Sequence, residues 1–229
     1  MTGENHCIVI LVRYPEKGAV KSRLAPALDE GLIVALYESF VVDLLATLDK
    51  SGHPFRIAFT PADRGEEIFR RFGRHDGFPQ TGADLGDRMK NCFQRCFADG
   101  FSQAVIIGSD TPDLRPEIFA ESFAALESRG VVIGPAADGG YYLIGFREET
   151  FVPEVFEGIA WSTEGVFAET LERLARAGVG VQRLPCLRDV DTPEDLRDLV
   201  RRNRDTPFTR SRTMACLTAA RPASLFSPP

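Results

Sequence analysis

Residues 103–114 have the sequence QAVIIGSDTPDL, in which a hydrophobic run leads directly into an acidic turn. The run QAVIIG is rich in β-branched residues, which predicts a buried β-strand. Asp110 and Asp113 follow it, so two carboxylates are expected just beyond the end of that strand. Carboxylates in such a place can bind a cation or a hydroxyl group, or they can cap the helix that follows.

Similar hydrophobic runs recur along the chain and alternate with segments that have helical patterns. We expect further strands at 7–12, 55–60, 131–136, 139–146 and 179–185. We expect helices at about 29–50, 62–73, 84–98, 115–130 and 162–178, the last capped by Ser162 or Thr163, and a final helix from Thr192. This alternation favours an α/β protein in which helices cover both faces of a mostly parallel sheet.

The domain organisation follows from the same pattern. No internal repeat or long interior linker interrupts the alternation of strands and helices, so residues 1–204 are predicted to form a single domain. After Arg204 the sequence becomes rich in Pro, Ser and Thr and has little periodicity. We interpret residues 205–229 as a mobile or draped tail.

The composition excludes some classes of partner. The chain has 229 residues, a net charge of −6 and a pI near 5.2, which argues against general binding to nucleic acids or membrane surfaces. We find no apolar run that approaches the ~20 residues needed to span a bilayer. The start, MTGENHCIVIL, lacks the features of a secretory signal. These observations predict a cytoplasmic protein without a membrane or nucleic-acid partner.

Cysteine and nucleophile motifs give little support to other chemistries. The five cysteines are irregularly spaced, which is not typical of a disulfide framework. Cys92 and Cys96 are expected on one face of a helix, where they could be half of a metal site, but we predict buried thiols without metal. The sequence contains neither an HExxH motif nor a GxSxG elbow. Hydrolase mechanisms built on those motifs are therefore disfavoured.

A basic loop, RYPEKGAVKSRL (13–24), follows the first strand. It contains Arg13, Lys17, Lys21 and Arg23, with Gly18 among them, and cations with backbone N–H groups before a helix suit a polyphosphate. It is neither a GxxxxGK[ST] nor a GxGxxG loop, and a solvated basic loop is an equally good interpretation. If it binds phosphates, we expect it to be mobile when empty. Lys21→Ala should then leave the stability of the empty protein almost unchanged.

A second acidic segment, DVDTPEDL (189–196), supplies Asp189 and Asp191 before the final helix, where Asp191 is also a candidate N-cap. Ligands of open parallel sheets bind beyond the carboxyl ends of the strands. We therefore expect the carboxylates of Asp110 and Asp191 to lie within ~8 Å of each other, close enough to share one hydrated Mg²⁺ or Mn²⁺.

The segment AADGGYY (136–142) places two glycines after Asp138. Gly139 and Gly140 allow either a tight hairpin or the close approach of a ligand, and the hairpin alone leaves Asp138 unexplained. Tyr141 and Tyr142 should point to opposite faces of a strand, so one of them can line a cleft.

Six motifs together resemble a known family. They are PEKGAVKSRL, DLGDRM, GSDTPDL, DGGYYLIG, WST and DVDTPEDL, in that order. They resemble the bacterial radical-SAM/selenodomain-associated transferase type 1 family, which is similar to 2-phospholactate guanylyltransferase and to molybdenum-cofactor nucleotidyltransferases. The resemblance covers about residues 7–203. It implies a three-layer α/β/α sandwich of the nucleotide-diphospho-sugar transferase (glycosyltransferase A) type.

The resemblance also implies roles for individual residues. Lys17, Lys21 and Arg23 match the loop that receives nucleotide phosphates, and Asp110 and Asp191 match residues that bind the divalent metal. Asp138, Gly139 and Gly140 match the segment that faces the acceptor. Gln80, Asp84 and Arg88 lie where relatives approach the base or the substrate. The first loop lacks the LAGGxSxRMG pattern of sugar-nucleotide pyrophosphorylases, so base recognition does not transfer from those enzymes.

The leading hypothesis is a Mg²⁺- or Mn²⁺-dependent transferase that moves a nucleotidyl group from a nucleoside triphosphate to a small phosphorylated acceptor. Lys17, Lys21, Arg23 and Asp138 are the candidate catalytic residues. The alternatives are a glycosyltransferase that uses a nucleotide-sugar and a non-catalytic nucleotide-binding module. The sequence leaves the base, the acceptor and the oligomeric state open.

Overall fold

A computed structural model describes residues 5–220 of the chain. Within that range the centre is a seven-stranded sheet with the order β3-β2-β1-β4-β6-β5-β7. The strands are β1 (His6–Arg13), β2 (Phe55–Thr60), β3 (Gly77–Pro79), β4 (Gln103–Ile107), β5 (Val131–Pro135), β6 (Tyr141–Arg147) and β7 (Val181–Arg183). Strand β6 runs antiparallel to both of its neighbours, and the other pairings of the described sheet are parallel. The expected mostly parallel sheet is confirmed.

Helices pack on both faces of the sheet. They are α1 (Glu30–Ser51), α2 (Gly65–Phe72), α3 (Leu85–Ala98), α4 (Glu117–Arg129), α5 (Val166–Arg176), α6 (Pro193–Arg202) and α7 (Arg212–Ala220). Ile8 and Ile10 of β1 pack in a core cluster with residues of α1, α2 and α4, whereas Val9 packs in a second cluster with residues of α3 and α5. Since both faces of β1 are buried, its hydrophobic run has to be continuous rather than alternating.

Helix α1 also has a buried outer side. Leu36 and Phe40 pack in a third cluster with Leu199 of α6 and Leu217 of α7. By length and composition alone α1 is apolar enough to cross a membrane, so our expectation that no segment meets this test is wrong. The core helix of a globular protein passes the same test, and burial between the sheet and two other helices explains the composition of α1.

Two local features differ from the sequence-based expectations. The short strand β3 was not predicted, because three residues give no readable alternation; Gly77 lies so close to β2 that an added Cβ would be 2.5 Å from the carbonyl oxygen of Ile57. Helix α5 begins only at Val166 and has no side-chain cap. The proposed cap by Ser162 or Thr163 is therefore wrong, and the Thr163 hydroxyl instead donates to the carbonyl of Ala160.

The segment that we interpreted as a tail contains a helix, α7, which was not predicted from the sequence. Helix α7 lies along α1, and Leu217 is fully buried there. The carboxylate of Asp43 on α1 accepts hydrogen bonds from the backbone N–H groups of Arg212 and Thr213, each at 2.8 Å. Residues 221–229 lie outside the described range, and the division into a domain at 1–204 and a tail stays a prediction.

Candidate functional site

The predicted loops meet at one edge of the sheet, around a cavity of about 360 Å³. A volume of this size falls in the range of small-molecule sites. Strands β1 and β4 end at this edge, and β6 begins there because it runs in the opposite direction. The predicted site residues that line the cavity are Arg13, Lys21, Gln80, Arg88, Asp110, Tyr141 and Asp191.

The two Asp-Thr-Pro turns, at 110–112 and 191–193, are joined to each other. The backbone N–H of Val190 donates a 2.8 Å hydrogen bond to the carbonyl of Asp110. Helix α6 is capped by Thr192, not by Asp191: the Thr192 hydroxyl accepts the N–H of Asp195, and the Asp195 carboxylate accepts the N–H of Thr192. The candidate role of Asp191 as an N-cap is therefore wrong, and its carboxylate is available for other contacts.

Lys21 connects the side chains of the two turns. Its Nζ lies 2.5 Å from Asp110 Oδ1 and 2.8 Å from Asp191 Oδ1, and its side chain is only 4% exposed. The predicted convergence of Asp110 and Asp191 is thus confirmed. Burial alone would lower the pKa of Lys21, but the two carboxylates outweigh it and raise that pKa, so the ammonium stays charged.

This arrangement corrects our view of the basic loop. Lys21 is paired and buried, and Val20 and Leu24 beside it are buried as well, so this part of the loop is anchored without ligand. We now expect Lys21→Ala to lower stability, because it would leave two carboxylates without their shared cation. Lys17 and Gly18 are exposed, and Lys17 has no ion pair within residues 5–220.

Arg23 is further from the turns than Lys21. Its Nη1 lies 3.4 Å from Asp191 Oδ2, and its side chain is 67% exposed. Neither Lys17, Gly18 nor Arg23 lines the cavity. They flank the loop residues Ala19, Val20 and Lys21, which do line it.

Three carboxylates form an acidic cluster next to Lys21. One oxygen each from Asp138, Asp189 and Asp191 lies within 4.8 Å of the others. Burial, followed by repulsion from Asp138 and Asp191, raises the pKa of Asp189 to about 6. A set of closely spaced carboxylate oxygens is the donor set that Mg²⁺ and Mn²⁺ prefer, so these residues fit the expected cofactor.

The cluster arises because two segments run side by side beyond the strands. Leu187 donates its N–H to the carbonyl of Pro135 at 3.0 Å, and Ala137 donates to the carbonyl of Leu187 at 2.8 Å. Asp138 and Asp189 therefore meet just past these contacts. Asp189 belongs to the acidic segment DVDTPEDL but not to the predicted metal pair. No local signal in the sequence singles it out, because its neighbour Asp138 is distant along the chain.

The glycine turn is explained by packing against a neighbouring loop. Gly139 has a φ of 91°, and a Cβ there would lie 2.2 Å from the carbonyl oxygen of Glu164. Gly140 donates its N–H to Asp138 Oδ1 at 2.9 Å, which fixes one oxygen of that exposed carboxylate. The glycines thus hold Asp138 in the acidic cluster, and neither of them lines the cavity.

Tyr141 and Tyr142 pack in core clusters on opposite faces of the sheet, as predicted. The Tyr142 hydroxyl donates to the carbonyl of Pro185 at 3.1 Å, whereas the Tyr141 hydroxyl lies 3.9 Å from the sulfur of Met89. Both residues line the cavity. Burial raises the pKa of each phenol, so both stay neutral.

The predicted site residues between positions 80 and 89 divide into two groups. Gln80 and Arg88 line the cavity, and the Gln80 amide nitrogen donates to the carbonyl of Ala58 at 2.7 Å. Asp84 does not line it: its carboxylate caps α3 by accepting the N–H of Asp87 at 2.9 Å. The geometry thus gives Asp84 the capping role that its position before a helix predicts.

Asp113, the second carboxylate of GSDTPDL, makes contacts that hold the structure together rather than facing the cavity. It accepts hydrogen bonds from Arg202 Nε at 2.7 Å and Nη2 at 2.8 Å, and from the Asn203 amide at 2.7 Å. These contacts tie the first turn to the end of α6.

Cys92 and Cys96 are helical and buried, as predicted, and burial raises the pKa of Cys92 to about 12.

The comparisons with known proteins agree with this fold. A provisionally assigned nucleotide-diphospho-sugar transferase from Desulfovibrio desulfuricans G20 is 40% identical, with a TM-score of 0.93 over 97% of each chain. The likeness to a CMP:2-keto-3-deoxy-manno-octonic acid synthetase complexed with CTP is one of fold: 18% identity and a TM-score of 0.51, covering 85% of this chain and 96% of that one.

The Rv0371c protein of Mycobacterium tuberculosis H37Rv, solved with manganese, has a similar fold, with 16% identity and a TM-score of 0.50 over 86% of this chain and 97% of that one. No curated protein matches the chain significantly. The expected nucleotide-diphospho-sugar transferase type of fold is confirmed. The family model described as "Uncharacterized protein conserved in bacteria (DUF2064)" matches residues 44–163, and the chain belongs to this DUF2064 family.

Proposed function

We propose that the protein is a metal-dependent transferase that moves a nucleotidyl group from a nucleoside triphosphate to a small phosphorylated acceptor. The observation that carries this proposal is the buried Lys21 ammonium, held by Asp110 and Asp191 beside the acidic cluster at the edge of the cavity. A cation fixed next to carboxylates beyond the strand ends suits a ligand that brings both phosphates and a divalent metal.

Asp138, Asp189 and Asp191 would hold Mg²⁺ or Mn²⁺, with Asp110 close by. When bound, the metal would neutralise phosphate charge and polarise a phosphoryl oxygen. The pKa of Asp189 is raised first by burial and then by repulsion from Asp138 and Asp191, and a bound cation would relieve that repulsion. The manganese in a protein of similar fold is consistent with this choice of metal.

The chain itself supplies the positive groups for the phosphates. Lys21 Nζ has three hydrogens, of which two are directed to Asp110 and Asp191, so one remains for a phosphate oxygen. Arg13 borders the cavity, and Lys17 and Arg23 are exposed cations of the same loop. The cations of this loop would stabilise the negative charge that grows on the leaving pyrophosphate. A phosphate acceptor is already ionised and needs no general base.

The rest of the cavity suits a nucleobase. Leu85, Met89 and Tyr141 contribute apolar surface, and Gln80 and Arg88 contribute polar groups. Because the Gln80 amide nitrogen donates to the carbonyls of both Ala58, at 2.7 Å, and Val12, at 3.5 Å, its two hydrogens are used, and the group left for a ligand is its carbonyl oxygen. We therefore infer that the base presents an N–H donor to Gln80.

Glycosyl transfer from a nucleotide-sugar is the second candidate, favoured by the assignment of the 40% identical relative. In that reaction Asp138 would accept the proton of an acceptor hydroxyl, and its exposure leaves it accessible for this role. A non-catalytic nucleotide-binding module is the third, but it gives no reason for a strained cluster of three carboxylates.

Ligand-induced thermal shifts test the proposal. Each of the four nucleoside triphosphates and a panel of nucleotide-sugars would be added with Mg²⁺ or Mn²⁺ to the full chain and to Asp189→Asn. We expect one triphosphate to raise the Tm of the wild type only with metal, and Asp189→Asn to lose this effect. Glu172→Gln, on the exposed face of α5, is the matched control and should behave as wild type.

The possible outcomes separate the three functions. A larger shift with a nucleotide-sugar than with any triphosphate would favour glycosyl transfer. Triphosphate binding that is unaffected by metal and by Asp189→Asn would favour the non-catalytic module. No shift with any nucleotide at millimolar concentration would contradict all three.

A further inference from the structure

Asp191 belongs to two charged groups at once. Its Oδ1 lies 2.8 Å from Lys21 Nζ, its Oδ2 lies 3.4 Å from Arg23 Nη1, and it is also a member of the cluster with Asp138 and Asp189. Both of its oxygens thus already face cations. A divalent metal in the cluster has to share or replace one of these contacts.

Lys21 is the stronger of the two partners. Its ammonium is almost completely buried, where water screens charge weakly, whereas Arg23 is largely exposed. Lys21 also cannot withdraw easily, because Val20 and Leu24 on either side of its short turn are buried. In the described structure the Lys21 ammonium is therefore the cation that a divalent metal has to displace from Asp191.

We propose that Lys21 acts as an internal counter-ion that competes with the divalent metal for Asp191. This inference rests on the proposed function, since it requires a metal in the acidic cluster. Without metal, Lys21 holds Asp191 and Asp110 together and lowers the affinity of the cluster for a cation. With metal, Asp191 is drawn toward the cluster, and Lys21 keeps Asp110 while its freed hydrogen becomes available to a phosphate.

Competition of this kind would couple the two ligands of the site. A metal that takes Asp191 releases a donor for the triphosphate, and a triphosphate that attracts Lys21 releases Asp191 for the metal. Each ligand would strengthen the binding of the other through one carboxylate, in addition to their direct contact. Lys21 is therefore a positioning residue for the metal site, independently of any role toward the phosphates.

Titration calorimetry with Mn²⁺ alone tests the competition without a measurement of activity. The variants are Lys21→Gln, which keeps hydrogen-bond donors for both carboxylates but removes the charge, and Lys21→Arg, which keeps the charge. We expect Lys21→Gln to bind Mn²⁺ at least about tenfold more tightly than wild type, the factor expected for one lost contact between charged groups. Lys21→Arg should bind as the wild type does.

Lys50→Gln is the control for net charge, since Lys50 is exposed at the far end of α1. It should leave Mn²⁺ affinity unchanged. Should Lys21→Gln fold poorly, the Tm rise that Mn²⁺ causes in Lys21→Arg and in Asp110→Asn provides a second measurement. In Asp110→Asn, Lys21 has only Asp191 as its acidic partner and holds it more firmly, so the rise should be smaller than in wild type.

The failures of the inference and of the proposed function are distinguishable. If wild type binds Mn²⁺ and Lys21→Gln binds it equally or more weakly, the competition is refuted while the metal-dependent function stands. If neither protein binds Mn²⁺ alone, the competition is refuted, and the thermal shifts with triphosphate and metal decide the proposed function separately. Binding that appears only in Lys21→Gln would support the competition in its strongest form.

Discussion

The two Asp-Thr-Pro turns, at 110–112 and 191–193, have the same three residues but are held in place differently. In the first, Thr111 and Pro112 are buried, and the turn is tied to α6 by the contacts of Asp113 with Arg202 and Asn203. The second turn is held by its own helix, through the reciprocal cap between Thr192 and Asp195. The first depends on tertiary contacts, and the second on local ones.

The comparison shows what the leading aspartate of each turn does. In both turns another residue supplies the structural contacts, namely Asp113 in the first and Thr192 in the second. Asp110 and Asp191 are left to bind Lys21. A residue that local structure does not need, at an edge where ligands bind, is a candidate for function.

The largest expected effect concerns the support beneath the second turn. Val190, just before it, packs in the same cluster as Leu217 of α7. Leu217→Ala should reduce the free energy of unfolding by about 3 kcal/mol, as large-to-small changes in cores do. Urea unfolding of the full chain measures this, and Thr218→Ala, exposed on the same helix, should change it by less than about 0.5 kcal/mol. Unchanged stability in Leu217→Ala would contradict the packing of α7 on α1.

The next effect concerns the tertiary support of the first turn. Asp113→Ala removes both hydrogen bonds to Arg202 and leaves that guanidinium, which is 25% exposed, without one of its carboxylate partners. We expect a loss of about 2 kcal/mol, below the value for fully buried pairs because water reaches this one. Glu172→Ala, which breaks an exposed pair on α5, should have little effect. Equal stability of the two variants would contradict the tertiary anchoring of the first turn.

The local support of the second turn should contribute less. Thr192→Ala removes the capping hydroxyl of α6 and should cost about 1 kcal/mol. Thr163→Ala is the matched control, because Thr163 precedes a helix without capping it, and it should cost less. If thermal unfolding shows equal losses, the second turn does not depend on its cap.

The smallest expected effect is electrostatic and depends on pH. The folded pKa of Asp189 is about 6, above the ordinary value of 3.8, so folding disfavours its ionised form. Stability is therefore lost as the pH rises from about 4 to above 6. Asp189→Asn should remove this loss and be more stable than wild type by about 0.5–1 kcal/mol at pH 8, after allowance for solvent screening, but not at pH 4. A variant with no advantage at pH 8 would show that the acidic cluster is not strained.

Much of this architecture could be predicted from the sequence. The hydrophobic run before Asp110 gave the central strand, because only a strand buried on both faces needs a continuous apolar sequence. The convergence of Asp110 and Asp191 followed from the common direction of parallel strands. The motifs of the six segments predicted the fold type, which the structure and its relatives confirm.

The remaining features depend on contacts between distant segments. The burial of Lys21 requires three loops to meet, and a lysine in a loop with other cations gives no local sign of this. Asp189 joins the cluster only because residues 135–138 and 187–191 run side by side. Helix α7 has few large apolar residues, so its packing on α1 could not be read from periodicity.

The reversed direction of β6 has a consequence for how the site can form and change. Because β5 and β6 are antiparallel neighbours joined by residues 136–140, they form a hairpin whose turn carries Asp138. A hairpin closes a short loop, so this part of the sheet can pair before the long crossovers that bring β1 and β4 together. The same shortness constrains evolution: an insertion in this connection would displace Asp138 directly, whereas the longer connections of the sheet can absorb added residues away from the site.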